Sequence, residues 1–450
     1  MFVIPGVVAL LTFELWRLNE VFEWLRWFSV PFVMGLAVLG YVLDFGVGVS
    51  RPRGSPLLIL LGALFVFAII TTTPRAPDSL TLQLLVLGVD IAAFFMVSEG
   101  LQTLRSLSAV CTVLLAFTLA LSLAGIYQGL SQQLCYIAGG GPGGHDLPDG
   151  RTCTIIGDCL RGGLNDKDYF CEHPGIFGSH SIGGRVRFQG ILEDPNELAW
   201  AISLGLPLSL AVYQLRRTWL RLVAVVVTVV AGCVCIIKTQ SRSGQLAVAG
   251  MFGIYFLRRF GSRGLLVAGL VSLPVLILGG RSDQSSSEER LECWAEALSM
   301  WRGNPFSGVG VLQFTEHHYL TAHNSFLLTL AELGPLGLLL WSAALYAAFK
   351  ITIQIQRELA TNVEASSARI LATALLAALA ATAISAFFLS IPYRVVLWIL
   401  FGLVGGLYSS VRAHSPDFRI RFGWRDLALV FGGDVALVGV VMIYLRIKGV

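Results

Sequence analysis

The sequence predicts an all-α integral membrane protein of about twelve transmembrane helices carrying two long external loops. Three observations predict it. Of 450 residues, 55% are hydrophobic and only 13% charged, whereas a soluble domain is roughly one quarter charged. Apolar stretches of about the length that crosses a bilayer recur from one end of the chain to the other. Basic residues crowd into alternate connections between those stretches, as the positive-inside rule requires. Together these exclude a soluble globular protein, and a net charge of +4 gives no sign of a nucleic-acid partner.

The first apolar segment, Phe2 to Phe13, is short and runs into an amphipathic stretch from Glu14 to Glu20, which suits a tilted span or an interfacial helix. No basic residue precedes it and no small-residue cleavage site follows, so a cleavable signal peptide is not expected. The next expected spans are Val30 to Val49, Pro56 to Thr72, Leu80 to Val97 and Leu107 to Tyr127. After a polar interval come Leu198 to Leu215, Leu222 to Ile237, Gln245 to Leu257 and Gly264 to Leu278. Ser325 to Phe349, Ile370 to Leu389, Val395 to Tyr408 and Leu427 to Tyr444 complete the series. The chain therefore reads as a single polytopic membrane domain over residues 1–450, with no soluble domain, strong internal repeat or low-complexity linker.

Arg51 and Arg53, then Arg216, Arg217 and Arg221, then Arg258, Arg259 and Arg263, then Arg412, Arg419, Arg421 and Arg425 fall on one side when spans are counted alternately. That side is expected to be cytoplasmic. The two long polar segments, 129–197 and 279–322, then share the external side. Cys135, Cys153, Cys159 and Cys171 all lie in the first of them. An even number of cysteines in an oxidising compartment predicts one or two disulfides, with three pairings open. Zinc is the competing reading, because His173 and His145 are nearby, but the spacing matches no standard zinc pattern. Cys111, Cys233, Cys235 and Cys293 read as small apolar fillers.

The first loop is glycine-rich around Gly139 to Gly144 and is expected to be irregular, pinned by its cysteines, and not a phosphate cradle. The second contains a helical pattern over Ser285 to Arg302, with Leu291, Trp294, Ala295, Leu298 and Trp301 at spacings of three and four among charged residues. Asn304-Pro305 ends it and Gly308-Val309-Gly310 continues as a turn. Such a helix suits the interface and would place Arg290 over the mouth of the membrane domain.

Three polar clusters at the external side are candidates for chemistry, since ionisable groups near membrane depth are costly. The first is Arg185-Val186-Arg187 followed by Glu193-Asp194-Pro195-Asn196-Glu197. The second is Lys238-Thr239-Gln240-Ser241-Arg242-Ser243-Gly244. The third is His317-His318 with His323-Asn324, just before a helix containing Glu332, Gly334 and Gly337. Each has a plain structural explanation: a helix cap, a turn with a snorkelling arginine, a satisfied interfacial histidine.

The joint pattern says more. His323-Asn324, nine residues, Gly334, two residues, Gly337 resembles the signature of the O-antigen ligase and O-antigen polymerase family at every defined position. Arg187 with Asp194-Pro195-Asn196, Ser241-Arg242-Ser243-Gly244, Arg290 with Trp294, Asn304-Pro305 and Gly308-Val309-Gly310 precede it in the family's order. The motif-bearing core spans residues 187–345.

The resemblance implies a C-type glycosyltransferase-like fold in a bacterial inner membrane. It implies metal-independent, inverting transfer of a glycan from a polyprenyl (undecaprenyl) diphosphate donor to an acceptor hydroxyl at the periplasmic or exterior face, with no cofactor. Arg242 and Arg290 match the family's diphosphate-binding arginines, with Arg187 as a further candidate, and guanidinium forks suit phosphate oxygens. His323 matches the catalytic histidine that orients or deprotonates the acceptor hydroxyl. At the start of a long helix, it feels a dipole that favours the neutral ring. Asn324 is expected to help fix that ring, Asn196 and Ser241 to support the arginines, and Gly334 and Gly337 to permit close helix packing. His317 and His318 are accessory. Ligase, polymerase and protein O-oligosaccharyltransferase share these motifs, so the acceptor is a lipid-core sugar, a growing chain or a protein hydroxyl. A transporter or flippase is the rival of another class, kept alive by the intramembrane acids Asp44, Asp90 and Glu332.

Overall fold

A computed structural model describes residues 2–16, 18, 22–25, 27–139, 146–160, 169–189, 192–264, 266, 285–359 and 365–449. Before the first loop it contains helices α1 (Val3–Trp16), α2 (Val30–Gly46), α3 (Pro56–Thr72), α4 (Leu80–Gly100) and α5 (Leu104–Leu130). The loop adds strands β1 (Leu134–Ile137) and β2 (Leu147–Thr152), the short helix α6 (Ile156–Leu160) and strand β3 (Tyr169–Glu172). Helices α7 (Pro195–Leu215), α8 (Trp219–Lys238), α9 (Arg242–Phe260), α10 (Ser285–Gly303) and the one-turn α11 (Phe314–His317) follow. The chain closes with α12 (Ser325–Glu358), α13 (Ser366–Ala386), α14 (Val395–His414) and α15 (Trp424–Lys448).

Among the described residues, eight helices are long and apolar enough to cross a membrane, and α1, α2 and α3 are shorter apolar helices. Mostly helical, it is a membrane protein by architecture and composition. The expected span from Gly264 to Leu278 lies outside the described residues apart from its first position and Leu266. Helix α14 is the hub, with 94% of its apolar window buried, while α15 is peripheral at 17%. Helix α14 packs on α4 at close range because a Cβ on Gly402, Gly405 or Gly406 would collide with Val97, Ser98 or the Leu101 carbonyl. Small residues substitute for hydrophobic driving force where lipid is the solvent.

The expectation of a wholly irregular first loop is corrected. β1 forms the centre of an antiparallel three-stranded sheet, order β2-β1-β3. Its strands Leu134-Cys135-Tyr136-Ile137 and Tyr169-Phe170-Cys171-Glu172 are rich in β-prone aromatic and β-branched residues, a pattern hidden by the surrounding glycines. Disulfides join Cys135 to Cys159 and Cys153 to Cys171, which settles the pairing left open by the sequence. The close sulfur cluster of Cys135, Cys153 and Cys159 is thus made of bonded cystines, and His173 is turned to the Ser131 carbonyl at 2.6 Å. His145 lies outside the described residues.

The basic connections gather at one end. Arg53 donates to Gln102 at 2.9 Å, and Arg412 donates to the Arg53 carbonyl at 2.6 Å. At the ends of α8 and α12 that chain connectivity brings to the same side, Arg221 reaches the Val212 carbonyl at 3.1 Å and Lys350 pairs with Asp426 at 2.7 Å. The sheet and the starts of α7, α9 and α12 occupy the opposite end. Two of the intramembrane acids are held by backbone: Asp44 accepts from the Phe2 and Val3 amides at 2.9 and 3.0 Å, and Glu332 from Phe314 at 3.0 Å.

Candidate active site

Four chain segments converge at the end opposite the basic connections. The first is the approach to α7. Asp194 caps this helix, accepting from the Asn196 backbone at 2.7 Å, with Pro195 in the first turn where its missing N–H costs nothing. Asn196 accepts from Arg185 at 3.1 Å, and Arg185 also donates to the Thr239 carbonyl at 3.0 Å. This fastens the first segment to the second, the turn between α8 and α9. There Ser241 caps α9 by accepting from Gly244 at 3.1 Å, leaving Arg242 exposed in the first helical position.

The third segment is α10, whose inner face buries Cys293, Ala297 and Leu298 and which presents Glu289 and Arg290. The fourth is Ala322-His323-Asn324. Asn324 is fully buried and caps α12, its oxygen accepting from Phe326 at 3.0 Å and Leu327 at 3.2 Å. That role replaces the expected contact with the His323 ring: Asn324 fixes the start of the helix, and through it the backbone of its neighbour. His323 has φ +46°, a left-handed conformation uncommon for a residue with a Cβ and often found where geometry serves a site.

Helix α12 is broken, and the break ties its glycines to the loop after α10. Gly334 has φ +68° and precedes Pro335, which lacks the N–H that would bond the Ala331 carbonyl. The loop supplies the missing donors: Val309 donates to Ala331 and Gly310 to Glu332, each at 2.9 Å. A Cβ on Gly334 would lie 2.5 Å from the Phe306 carbonyl, and one on Gly308 2.3 Å from the Glu332 backbone. Gly334 therefore serves a backbone splint, correcting the simple helix-packing role expected for it; a Cβ on Gly337 would collide with Leu333 one turn earlier.

Between the segments lies an open cleft of about 820 Å³ whose wall includes Arg185, Asp194, Asn196, Glu289, Arg290 and His323, roomy enough for a small ligand with its head group. Arg242 is not on this wall, but its charge acts on Arg290. Burial first, then Arg242, lowers the Arg290 pKa, while Asp194 opposes them. The Arg290 guanidinium lies over the Phe388 ring at 5.8 Å. Neither it nor Arg242 forms an ion pair among the described residues. Burial first, then the Arg290 charge, holds the His323 pKa below its ordinary value, with Asp194 and Glu289 acting the other way. No hydrogen bond to the His323 ring occurs among the described residues. The arrangement sets an imidazole of lowered pKa beside the Arg290 guanidinium, which suits an anionic group next to a hydroxyl that must lose a proton.

Arg187 does not line the cleft. Its Nε donates to the His180 carbonyl at 2.8 Å and its guanidinium stands against the His180 ring. Arg185, two residues earlier, takes the wall position because its own bonds run to Thr239 and Asn196. His317 bonds to the Gln313 carbonyl at 2.9 Å and His318 lies near Cys293 at 4.0 Å; neither is on the wall. Arg394, in the turn before α14, pairs with Glu197 of α7 at 2.6 Å, a link between distant segments that no local sequence signal announces.

Residues 227–342 match the family model for O-antigen ligase. Within that segment the chain is similar to the O-antigen ligase family. The matched segment contains Ser241, Arg242, Arg290, His323, Asn324, Gly334 and Gly337, while Arg187 and Asn196 precede it. No curated protein matches the chain. The family is one of membrane enzymes of the ligase or polymerase type that transfer glycosyl groups between lipid-linked glycans and acceptors.

Proposed function

We propose that the protein transfers a glycan from a polyprenyl diphosphate to an acceptor hydroxyl, by an inverting, metal-independent displacement at the external face of a bacterial inner membrane. The observation that carries this reading is the convergence of Arg290 and His323 on one cleft, where burial and the neighbouring cation lower the pKa of the ring. Arg290 and Arg242, joined by Arg185 on the wall, neutralise the departing diphosphate. His323 accepts the proton of the acceptor hydroxyl as its oxygen attacks the anomeric carbon and the carbon–diphosphate bond breaks. Arg187 acts from behind, through His180.

The engagement of Asp44 and Glu332 by backbone amides favours a structural use of these acids over a translocation path. The test is deletion of the gene followed by analysis of surface glycans and lipid-linked intermediates. Loss of a ligase leaves polymer stranded on the lipid carrier; loss of a polymerase leaves single repeat units. Protein glycosylation lost with both glycolipids intact identifies a protein acceptor. Full complementation by His323→Ala would overturn the chemical reading, and glycolipid accumulating on the cytoplasmic side would point to transport.

A further inference from the structure

The disulfide-bearing loop reaches the cleft through one carboxylate. Glu172 follows Cys171 at the end of β3 and is 6% exposed. Its carboxylate accepts from the Gly183 amide at 2.6 Å, from the Gly184 amide at 3.1 Å and from the Ser181 hydroxyl. A buried carboxylate needs either a cation or several donors, and here the donors belong to one turn. Ile182 and Arg185 close that turn with reciprocal backbone bonds of 3.0 and 3.1 Å. Gly183 and Gly184 have φ of +57° and +72°, the double left-handed geometry of a two-residue hairpin loop that glycine adopts without strain.

The next residue out of the turn is Arg185, and Ile182, Gly183 and Arg185 all stand on the cleft wall. At its other end the carboxylate is anchored: β3 pairs with β1, with Cys171 opposite Cys135, and Cys171 is bonded to Cys153. A rigid path therefore runs from the cystine through Glu172 and the turn to Arg185. Glu172 itself is not on the wall.

We propose that Glu172 is a positioning residue of this site: by clamping the Ser181–Gly184 turn to the cystine-stapled strand, it sets where Arg185 presents its guanidinium, and so sets affinity for a diphosphate. The inference rests on the diphosphate reading of the cleft given above. The first loop is thereby part of the site's architecture and not an ornament beside it.

The test uses the full chain in lipid nanodiscs with farnesyl diphosphate as the probe. Glu172→Gln is expected to weaken binding about tenfold, the scale of losing charge-assisted hydrogen bonds. Arg185→Gln is expected to weaken it at least as much. The double variant is expected to bind no more weakly than Arg185→Gln alone, because both act through one guanidinium. A merely structural role for Glu172 would lower Tm and leave these losses independent. Wild-type affinity in Glu172→Gln, or losses that multiply in the double variant, would overturn the proposal. Should Glu172→Gln fail to fold, Glu172→Asp replaces it, with an intermediate loss expected and wild-type affinity again overturning the idea. Absence of binding by the wild-type chain is a different result: it would remove the diphosphate reading itself, and the inference with it.

Discussion

Arg290 and Arg242 at the cleft end of the helical bundle are held differently from the cations of the basic end, and differently from Arg185 and Arg394 at their own end, which are bonded to Asn196 and Glu197. At the basic end, Arg53, Arg221, Arg412 and Lys350 are tied to side-chain or carbonyl oxygens at 2.6 to 3.1 Å. At the other end, Arg290 and Arg242 form no ion pair among the described residues, and His323 has no hydrogen bond there. A satisfied cation stabilises a fold, whereas one left without a counter-ion in a half-buried cleft costs stability unless a ligand supplies the charge. On the proposed function, the difference separates groups that orient the membrane domain from groups that meet the substrate.

The comparison breaks most sharply at His323. His323→Ala is expected to lower glycan transfer by about a hundredfold or more, the range of general-base removal, with Tm unchanged because the ring bonds to nothing described. An assay of transfer beside a melting curve checks this; a fall in Tm with activity preserved would reverse the assignment. Arg290→Lys is expected to cost about tenfold in activity, since a point charge replaces a bidentate fork. At the opposite end, Arg412→Lys should affect melting and leave transfer within about twofold. Equal activity losses at both ends would erase the distinction.

Gly334→Ala probes the splint between α12 and the loop after α10. A Cβ at φ +68°, 2.5 Å from the Phe306 carbonyl, is expected to destabilise the chain by about 2 kcal/mol, read as a lower Tm. Alanine tolerated without change there would mean that the helix break is dispensable.

The smallest effect is on pH dependence. In the proposed general-base role His323 acts in its neutral form, so activity is expected above its pKa and is expected to be lost as pH falls through it. Burial and Arg290 lower that pKa, which puts the acid limb of the profile below the ordinary histidine value of about 6.5. Arg290→Gln removes a cation and is expected to move the limb to higher pH in the residual activity. Asp194→Asn removes a carboxylate that raises the pKa and should move it lower. Limbs that stay fixed in both variants would detach His323 from its neighbours.

Much of this was legible in the sequence, for reasons that differ by element. Spans such as Leu107 to Tyr127 announce themselves because bilayer insertion needs long apolar helices, and α10 because its apolar residues keep helical period. The order of Arg242, Arg290 and His323 is visible because it resembles the family's motif order. What failed to show depends on contacts between distant segments. The choice of Arg185 over Arg187 for the wall is decided by Thr239, Asn196 and His180. The cystine pairing follows the register of a sheet whose strands are only four to six residues long. The role of Gly334 emerges only once Val309 and Gly310 are seen donating to the Ala331 and Glu332 carbonyls at the helix break.

The most direct test of the central claim is release of the lipid carrier by the purified protein. Wild-type protein in nanodiscs, given a polyprenyl-diphosphate-linked glycan and a hydroxyl acceptor, is expected to liberate free polyprenyl diphosphate in step with glycosylated acceptor. His323→Ala is expected to liberate neither. Wild-type protein that moves the glycolipid across a membrane intact, with the glycosyl–diphosphate bond unbroken, would contradict the account.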